Sequence, residues 1–359
     1  ASTSFYNTEE NLNQKSIQWK KFFDSKKFNK ENLINFRNSN SKLSSGLDDH
    51  HDKFSFKLYS EIISLTSEEF VLNNLTKKNI GNSDSLISYK GFLVDYNKLI
   101  HIYWFWVIKN KIFKDNKVSN ICEIGGGFGC LIELFITNYD TKALLIDLPE
   151  ANLLSSYYLK ELFPQKSFFL FDDYKKTEFL SHSDFEKNDI IILPPNCNID
   201  DKIKIDFFIN CRSLMEMNFK VVKSYFKFIQ QFIKEGGYFL NINRYEKNHV
   251  GEPIRISEYP YDNNWKTIIS ETSKHQKRIH FLLTKRTSKN YEGDIKHELE
   301  NIKKISKKFY INPIYYNTYF VFFKKVLKRI LRILYLNKVL NRIGNFCFHF
   351  GRKLKNFTS

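Results

Sequence analysis

Short apolar runs alternate with amphipathic stretches through the middle of the chain, from about residue 118 to residue 250. The apolar runs predict buried strands, and the stretches with apolar residues at three- and four-residue spacing predict helices. The predicted strands, in chain order, are 121–124, 143–146, 205–210 and 238–242. Strands that alternate with helices in this way are typical of an α/β fold with a doubly wound, mostly parallel sheet.

Two segments are candidates for the third strand of this sheet. Residues 166–174 contain a short apolar run, and residues 189–193 form a longer β-branched run that ends at Pro194. The second segment is the better candidate, because β-branched residues favour strands and proline cannot continue one. We therefore expect residues 189–193 to lie in the sheet.

Helix signals separate the strands. Pro149 is placed to begin a helix after the second strand. Asn218 is a predicted N-cap, and the apolar face of the helix after it includes Ile233. Gly236 and Gly237 are expected to end that helix, since glycine is the usual residue at a helix C-terminus.

Beyond residue 250 the pattern is less regular. Residues 278–284 and 316–323 predict strands that could complete the sheet in antiparallel orientation, and residues 292–308 predict a charged helix between them. Residues 324–344 place their apolar positions near one face, with Lys and Arg opposite. This basic amphipathic helix could lie on an anionic membrane, or it could dock on its own domain or on a partner, and both interpretations remain open.

A glycine-rich turn joins the first strand of the core to its first helix. Residues 123–129 read EIGGGFG, with the spacing E-x-G-x-G-x-G, and Asp147 follows the second strand. An acidic residue at that position is typical of sites that bind a nucleoside-containing cofactor. A phosphate-binding loop would need GxxxxGK, and a dinucleotide fingerprint would need a glycine where Cys130 stands.

Charge and cysteine content narrow the classes of partner. The chain has 359 residues and a net charge of +17, but the excess is almost all Lys. Arg, which forms bidentate contacts with phosphates and bases, is sparse, so no nucleic-acid partner is expected. The five Cys form no CxxC pair, which indicates free thiols in a reducing compartment. No metal site is predicted, because the adjacent His50 and His51 would rarely converge on one ion.

The hydropathy pattern gives an expectation for localisation. No apolar run is long enough to span a membrane, and no signal peptide is visible. We expect a cytoplasmic protein that is soluble or peripheral at the inner face of the cell membrane.

The ordered motifs resemble a known family. EIGGGFG at 123–129, LLIDLPE at 144–150, residues 205–218 and KEGGYFLNINRYEK at 234–247 together resemble the bacterial sugar O-methyltransferases. These belong to the Rossmann-like class I methyltransferases, which use S-adenosylmethionine (SAM). The resemblance covers about residues 118 to 250. It implies methyl transfer from SAM to a hydroxyl of a sugar, nucleotide sugar or lipid-linked glycan in surface-polysaccharide synthesis.

The resemblance also implies which residues bind the cofactor. The methionine part would lie against Glu123, Gly125, Gly127 and Gly129, and the ribose against Asp147 with Leu148 beside it. The end of the third strand, near Pro194, would face the adenine. Asn210 and Ser213 would lie beside the transferring methyl, because open α/β sheets bind ligands at the carboxyl ends of their strands.

A sugar hydroxyl is a poor nucleophile, so we expect a base or a metal to assist its attack on the methyl group. Glu216 is the first candidate for the base, with a structural role as an equal alternative, and Ser213 is a further catalytic candidate. Small-molecule O-methyltransferases have a catalytic histidine just after the fourth strand, but residues 211–217 contain none. A histidine base would therefore require His249 or His275 to reach the site from a later loop.

Asn243 and Arg244 follow the fifth strand and are candidates to bind substrate hydroxyls or a nucleotide phosphate. The predicted domains are a helical N-terminal region over the cofactor site at 1–113, the SAM-binding domain at 114–323, and the basic helix with its tail at 324–359. In the first of these, the aromatic stretch 96–112 is interpreted mainly as packing, with Tyr96, His101 or Tyr103 as candidate covers of the pocket.

Two other functions remain open. The same cofactor could serve a non-sugar small molecule, because acceptor pockets are built outside the motifs. Alternatively, the chain could be a membrane-associated binding protein with a vestigial core. The intact set of Glu123, three glycines and Asp147 argues against the second function.

Overall fold

A computed structural model describes residues 30–38, 52–114, 118–195, 197–248, 252–288 and 293–309. The predicted strand at 316–323, the predicted helix at 324–344 and the His50-His51 pair lie outside these residues. Among the described residues, no helix has both the length and the apolar character needed to cross a membrane.

The N-terminal part is a group of helices with one hairpin. Helices α1 to α3 are Lys30–Ile34, Asp52–Leu65 and Glu68–Asn73, and a hairpin of β1 and β2 at Ile87–Tyr89 and Phe92–Val94 follows. Helix α4, Tyr96–Ile108, ends in a π-helical turn at Lys109–Phe113. The N-terminal region, predicted to be helical over 1–113, therefore also contains a hairpin, whose strands are too short to give a period-two pattern.

The core alternates strands and helices as predicted. In chain order its elements are β3 Asn120–Ile124, α5 Ile132–Asn138, β4 Lys142–Ile146, α6 Pro149–Leu162, β5 Phe168–Phe169, α7 Phe171–Thr177, α8 His182–Lys187, β6 Ile190–Leu193, β7 Ile205–Cys211, α9 Phe219–Phe232 and β8 Ile233–Arg244. The C-terminal elements are β9 Glu246–Lys247, β10 Ile254–Arg255, β11 Trp265–Thr272, β12 Ile279–Arg286 and α10 Ile295–Ser306.

Eight strands form one sheet in the order β11-β12-β8-β7-β3-β4-β6-β5. The strands from β8 to β5 in this order are parallel, and β12 is antiparallel to both of its neighbours. The fold is thus a Rossmann-like, doubly wound, mostly parallel sheet. The favoured segment, 189–193, provides β6 beside β4, while the competing segment provides only the two-residue edge strand β5.

Both faces of the sheet are buried, which explains why the central strands are apolar without alternation. On β3, Ile121 packs into the core on one face and Cys122 into the core on the other. Helices α4, α5 and α6 cover the first face, and α9 and α10 cover the second.

The structure corrects the predicted end of the helix that Asn218 caps. The Asn218 side chain does accept the Val221 N–H at 3.0 Å, but α9 ends at Phe232. Gly236 and Gly237 lie within β8 and do not end the helix. A Cβ on Gly237 would lie only 3.0 Å from the carbonyl oxygen of Asp206 on the neighbouring strand, so close approach of two backbones explains a glycine there.

The chain crosses from one half of the sheet to the other between β3 and β7. From β3 it builds β4, β5 and β6 on one side, and it then returns to place β7 and β8 on the other side. Ligands of open α/β sheets bind outside the carboxyl ends of the strands at such a crossing. The carboxyl ends of β3, β4, β6 and β7 therefore define the candidate site.

Candidate functional site

The strand register brings three of the predicted cofactor residues into one row. Ile124 of β3 pairs with Ile146 of β4 and with Asn210 of β7, and Ile146 pairs with Leu193 of β6. The residues that directly follow the paired positions on β3, β4 and β6 are Gly125, Asp147 and Pro194. They lie side by side at the carboxyl edge because their strands end at the same level.

The glycine turn starts at Gly125, whose N–H donates to the carbonyl of Ile146 at 2.8 Å. Gly125 and Gly127 have φ values of +70° and +60°, which favour glycine. The two positions differ in their surroundings. A Cβ on Gly125 would lie 2.0 Å from Ser213 Oγ, whereas a Cβ on Gly127 would have no described atom within 4 Å. Gly127 therefore borders open space at the site.

Asp147 connects the glycine turn to the end of β4. Its Oδ2 accepts the N–H of Gly127 at 2.8 Å, and its Oδ1 accepts the N–H of Leu148 at 2.7 Å. Burial raises the pKa of the Asp147 carboxyl to about 6, with a further contribution from the charges of Glu150 and Glu216, although the two backbone hydrogen bonds act against the rise. Each oxygen keeps a second lone pair for another donor.

Glu123 lies beneath the same turn with a side chain that is almost fully buried. The N–H of Ile132, at the start of α5, donates to its carboxyl group, and the N-cap residue of α5 provides no side-chain cap of its own. Its other oxygen, Oε2, is buried without a hydrogen-bond partner among the described residues. Burial raises the pKa of Glu123 to about 8. An orphaned buried carboxyl oxygen of this kind suits a cationic ligand group.

Asn210 and Ser213 support the turn from the β7 side. The Asn210 amide donates to the carbonyl of Ile124 at 2.9 Å and to Ser213 Oγ at 2.6 Å, and Ser213 Oγ donates to the same carbonyl at 3.1 Å. Asn210 has no exposed surface. Both side chains therefore fix the end of β3 beside Gly125.

Asn243 continues this network away from the site. Its amide nitrogen donates to Asn210 Oδ1 at 2.8 Å and to Asn241 Oδ1 at 2.6 Å, and the Asn241 amide donates to the hydroxyl of Tyr261 at 3.1 Å. Asn243 is fully buried, so its position does not support the prediction that it contacts a substrate. Asn241 stands in an apolar strand, and no sequence signal marks it as part of this network.

Glu216 lies in a short 3₁₀ helix, Leu214–Glu216, just after β7. Its carboxylate forms an ion pair with Lys247, and both side chains are about four-fifths buried. Because Glu216 contributes to the raised pKa of Asp147, the two carboxyl groups are close enough to interact. Arg244, the other substrate candidate, is half-buried at the end of β8, and its backbone N–H contacts Met215 Sδ at 3.3 Å.

Leu148 and Pro194 lie just after the ends of β4 and β6, whereas the two candidate histidines are not placed at the site. Leu148 occupies the N-cap position of α6, and Pro194 is buried after β6. His249 lies outside the described residues. His275 packs edge-on against Tyr103 at 4.9 Å and lies 3.5 Å from Glu61, so its described contacts are with the N-terminal helices.

The N-terminal region contacts the glycine turn directly. Phe36 packs edge-on against Phe128 of the turn at a centroid distance of 5.5 Å, and Arg37 lies over the same ring at 5.2 Å. Arg37 also forms a buried ion pair with Asp95, the N-cap residue of α4, at 3.2 Å. The segment 30–38 is thus bound to the outer side of the turn.

Arg212 and His101 also lie near this edge. Arg212 is not among the predicted binding residues, and the stretch that contains His101 is interpreted mainly as packing. Arg212 directly follows β7, and its charge adds to the effects of burial and of Lys98 in lowering the pKa of His101 on α4. A basic residue after a strand gives no sequence signal of its own.

Among the described residues no group of three or more His, Cys, Asp or Glu side chains has the proximity needed to hold a metal ion.

Comparisons with known proteins give weak similarities only. No family model and no curated protein matches the sequence. The chain is similar to a protein described as a methyltransferase from Escherichia coli, with 9% identity over 52% of this chain and 85% of that chain and a TM-score of 0.35. It is similar to the mitomycin 7-O-methyltransferase MmcR, with 13% identity over 53% and 57% and a TM-score of 0.32. It is also similar to a mutant of MtNAS in complex with S-adenosylmethionine, with 9% identity over 76% and 89% and a TM-score of 0.35.

Proposed function

We propose that the chain is a SAM-dependent O-methyltransferase whose acceptor is a sugar hydroxyl, in a nucleotide sugar or a lipid-linked glycan of surface-polysaccharide synthesis. The observation that carries the cofactor part is the hydrogen bond from Gly127 to Asp147, beside open space at Gly127. It joins the glycine segment 125–127, which has no side chains, to a carboxylate. A nucleoside with an extended substituent needs both groups. The sugar rests on the motif resemblance at residues 118–250.

The residues at the site fit SAM. The orphaned Oε2 of Glu123 suits the ammonium of the methionine part, and the second lone pairs of Asp147 suit the ribose hydroxyls. Pro194, at the end of β6, would border the adenine. When bound, SAM supplies an electrophilic methyl group on a sulfonium.

The protein's own residues would position the acceptor and receive its proton. Asn210 and Ser213 hold the end of β3, so they keep the glycine turn in place beside the acceptor. Glu216 is the proposed proton acceptor, and the ammonium of Lys247 orients its carboxylate. An accurately held hydroxyl and a nearby base can supply much of the rate enhancement.

Calorimetric titration with S-adenosylhomocysteine, the demethylated product, tests the cofactor site first. We expect a Kd of roughly micromolar, that is about 8 kcal/mol of binding free energy. Absence of binding would overturn the proposal and would favour the alternative of a binding protein with a vestigial core.

A second experiment tests the acceptor. Purified protein with radiolabelled SAM would be offered nucleotide sugars, lipid-linked glycans and non-sugar alcohols and amines in parallel. Transfer to a sugar that is lost in Glu216→Gln supports the sugar acceptor and the proposed base. Transfer only to a non-sugar compound would keep the cofactor assignment and replace the acceptor. Salt-sensitive binding of anionic vesicles would separately test the membrane role proposed for residues 324–344.

A further inference from the structure

Arg212 has an unusual backbone conformation at the carboxyl end of β7. Its φ is +62°, in the left-handed region, and its N–H donates to the carbonyl of Ile242 on β8 at 2.7 Å. A side chain with a Cβ is strained in this region, and such strain is concentrated at functional sites. A glycine would fit this backbone without strain, so the arginine side chain itself is the feature that needs an explanation.

The charge of Arg212 is not balanced by its described neighbours. The residue is half-buried, and its guanidinium forms no hydrogen bond or ion pair within the part of the chain that the structure describes. Lys98, a buried cation on α4, differs in this respect because it pairs with Glu133 at 2.6 Å. A half-buried guanidinium without a partner favours an anionic ligand.

His101 on α4 provides a second unpartnered group within range of the Arg212 charge. Its Nδ1 is buried without a hydrogen-bond partner among the described residues. Burial, with added repulsion from Lys98 and Arg212, lowers the pKa of His101 to about 3, so its imidazole is neutral at pH 7. A neutral imidazole has one N–H to donate, and that N–H can reinforce a guanidinium in holding an anion.

The location separates these groups from the cofactor residues. Asp147 and Pro194 follow β4 and β6, on one side of β3, whereas Arg212 follows β7, on the other side. If the cofactor occupies the β3–β4–β6 side, a group held by Arg212 belongs to the molecule that enters from the β7 side.

We propose that Arg212, with His101 beside it, binds an anionic group of the acceptor, either a carboxylate or a phosphate. This inference rests on the proposed function and deepens it, because it restricts the acceptor to acidic sugars or sugar phosphates. Arg212 is a binding and specificity residue here and takes no part in proton transfer.

The experiment compares two arginine variants that lose the same charge. Arg212→Gln is matched with Arg278→Gln, since Arg278 is exposed on the loop before β12. The wild-type protein and both variants, saturated with S-adenosylhomocysteine, would be titrated calorimetrically with inorganic phosphate and with glucuronate at constant ionic strength. We expect wild type and Arg278→Gln to bind at least one probe equally well, and Arg212→Gln to bind it at least about tenfold more weakly. The preferred probe identifies the phosphate or the carboxylate as the recognised group.

Three results would overturn the inference. One is equal binding of both probes by Arg212→Gln and wild type, and another is an equal loss in Arg278→Gln. The third is a loss of S-adenosylhomocysteine affinity in Arg212→Gln while methylthioadenosine, which lacks the amino-acid carboxylate, binds normally. That result would assign Arg212 to the cofactor.

Two additions keep the test decisive. If wild type fails to bind S-adenosylhomocysteine, the proposed function fails, and the phosphate and glucuronate titrations of the cofactor-free protein still decide the role of Arg212. If Arg212→Gln does not fold, Arg212→Gly replaces it, because glycine accepts a φ of +62°.

Discussion

Ser213 Oγ fills the space that a side chain on Gly125 would need, since a Cβ at Gly125 would lie 2.0 Å from that oxygen. Gly127 is the natural comparison, because its φ is also positive but a Cβ there would meet no described atom within 4 Å. We expect Gly127→Ala to lower the free energy of unfolding by about 1 kcal/mol through backbone strain alone. Gly125→Ala should cost about 3 kcal/mol or more, because the clash with Ser213 is added. Urea unfolding measures both, and equal losses would contradict the packing argument.

Asp147→Ala tests the ribose assignment. We expect the affinity for S-adenosylhomocysteine to fall by one to two orders of magnitude, as about 1.5–3 kcal/mol of charged hydrogen bonding is lost. The control is Asp172→Ala, since the Asp172 side chain is 87% exposed. Calorimetry gives the affinity, and far-UV circular dichroism confirms the fold. An unchanged affinity in Asp147→Ala would refute the assignment.

The raised pKa of Asp147 predicts how cofactor affinity depends on pH. Only the ionised carboxylate accepts both ribose hydroxyls, so the affinity for S-adenosylhomocysteine should fall as pH drops through the pKa of about 6. At pH 5 roughly one carboxyl in ten is ionised, which gives an affinity about tenfold below the neutral-pH value.

Stability should respond to this group in the opposite direction. Because folding raises the pKa of Asp147, the folded state binds its proton more tightly than the unfolded state does. Its contribution to stability is present below the unfolded pKa of about 4 and is lost as pH rises through about 6. Asp147→Asn should remove both pH dependences, and retention of the affinity change in that variant would assign it to another group.

The buried ion pair of Lys98 and Glu133 predicts a large loss of stability when one partner is removed. Their side chains are 2% and 8% exposed, and Tyr158 also donates to the Glu133 carboxylate at 2.7 Å. Lys98→Met should cost about 3–5 kcal/mol, because it leaves a buried carboxylate without its cation. Lys57→Met is the control, since Lys57 is 77% exposed and its pair with Glu61 should contribute less than about 0.5 kcal/mol. Thermal and urea unfolding compare the two, and similar small losses would contradict the prediction.

We expect Arg212→Gly to be more stable than the wild type and to have lost anion binding. Removing the Cβ from a backbone with φ of +62° should raise the free energy of unfolding by about 1 kcal/mol. A clear loss of stability on urea unfolding would show that the arginine side chain is needed by the fold itself.

The sequence predicted those parts of the fold that rest on local signals. The strand, turn and helix from β3 to β4, the N-cap at Asn218 and the strand near residues 278–284 follow from apolar periodicity and capping preferences. The row formed by Gly125, Asp147 and Pro194 follows in turn, because parallel strands that end at one level bring their next residues together.

The features that the sequence did not predict depend on contacts between distant residues. Strand β11 has only Trp265 fully buried, so its pattern does not distinguish a strand from a loop. The continuation of β8 through Gly236 depends on its pairing with β7. Asn243 can be buried because its side-chain amide donates to the amide oxygen of Asn210 on β7. No local pattern marks Arg212, since its backbone conformation is set by strand pairing and not by residue type.

Because Phe36 contacts Phe128, the packing of the glycine turn depends on two parts of the chain that are distant in sequence. A chimera that carried residues 118–288 onto a different N-terminal region would keep the contact of Phe128 with Tyr158 but lose its contacts with Phe36 and Arg37. Exchange of segments between relatives is therefore constrained at this point, and an aromatic residue at position 36 should be inherited together with the turn. The sheet positions Gly125, Asp147 and Pro194, but exchange of this site between proteins also depends on the N-terminal region that packs on the turn.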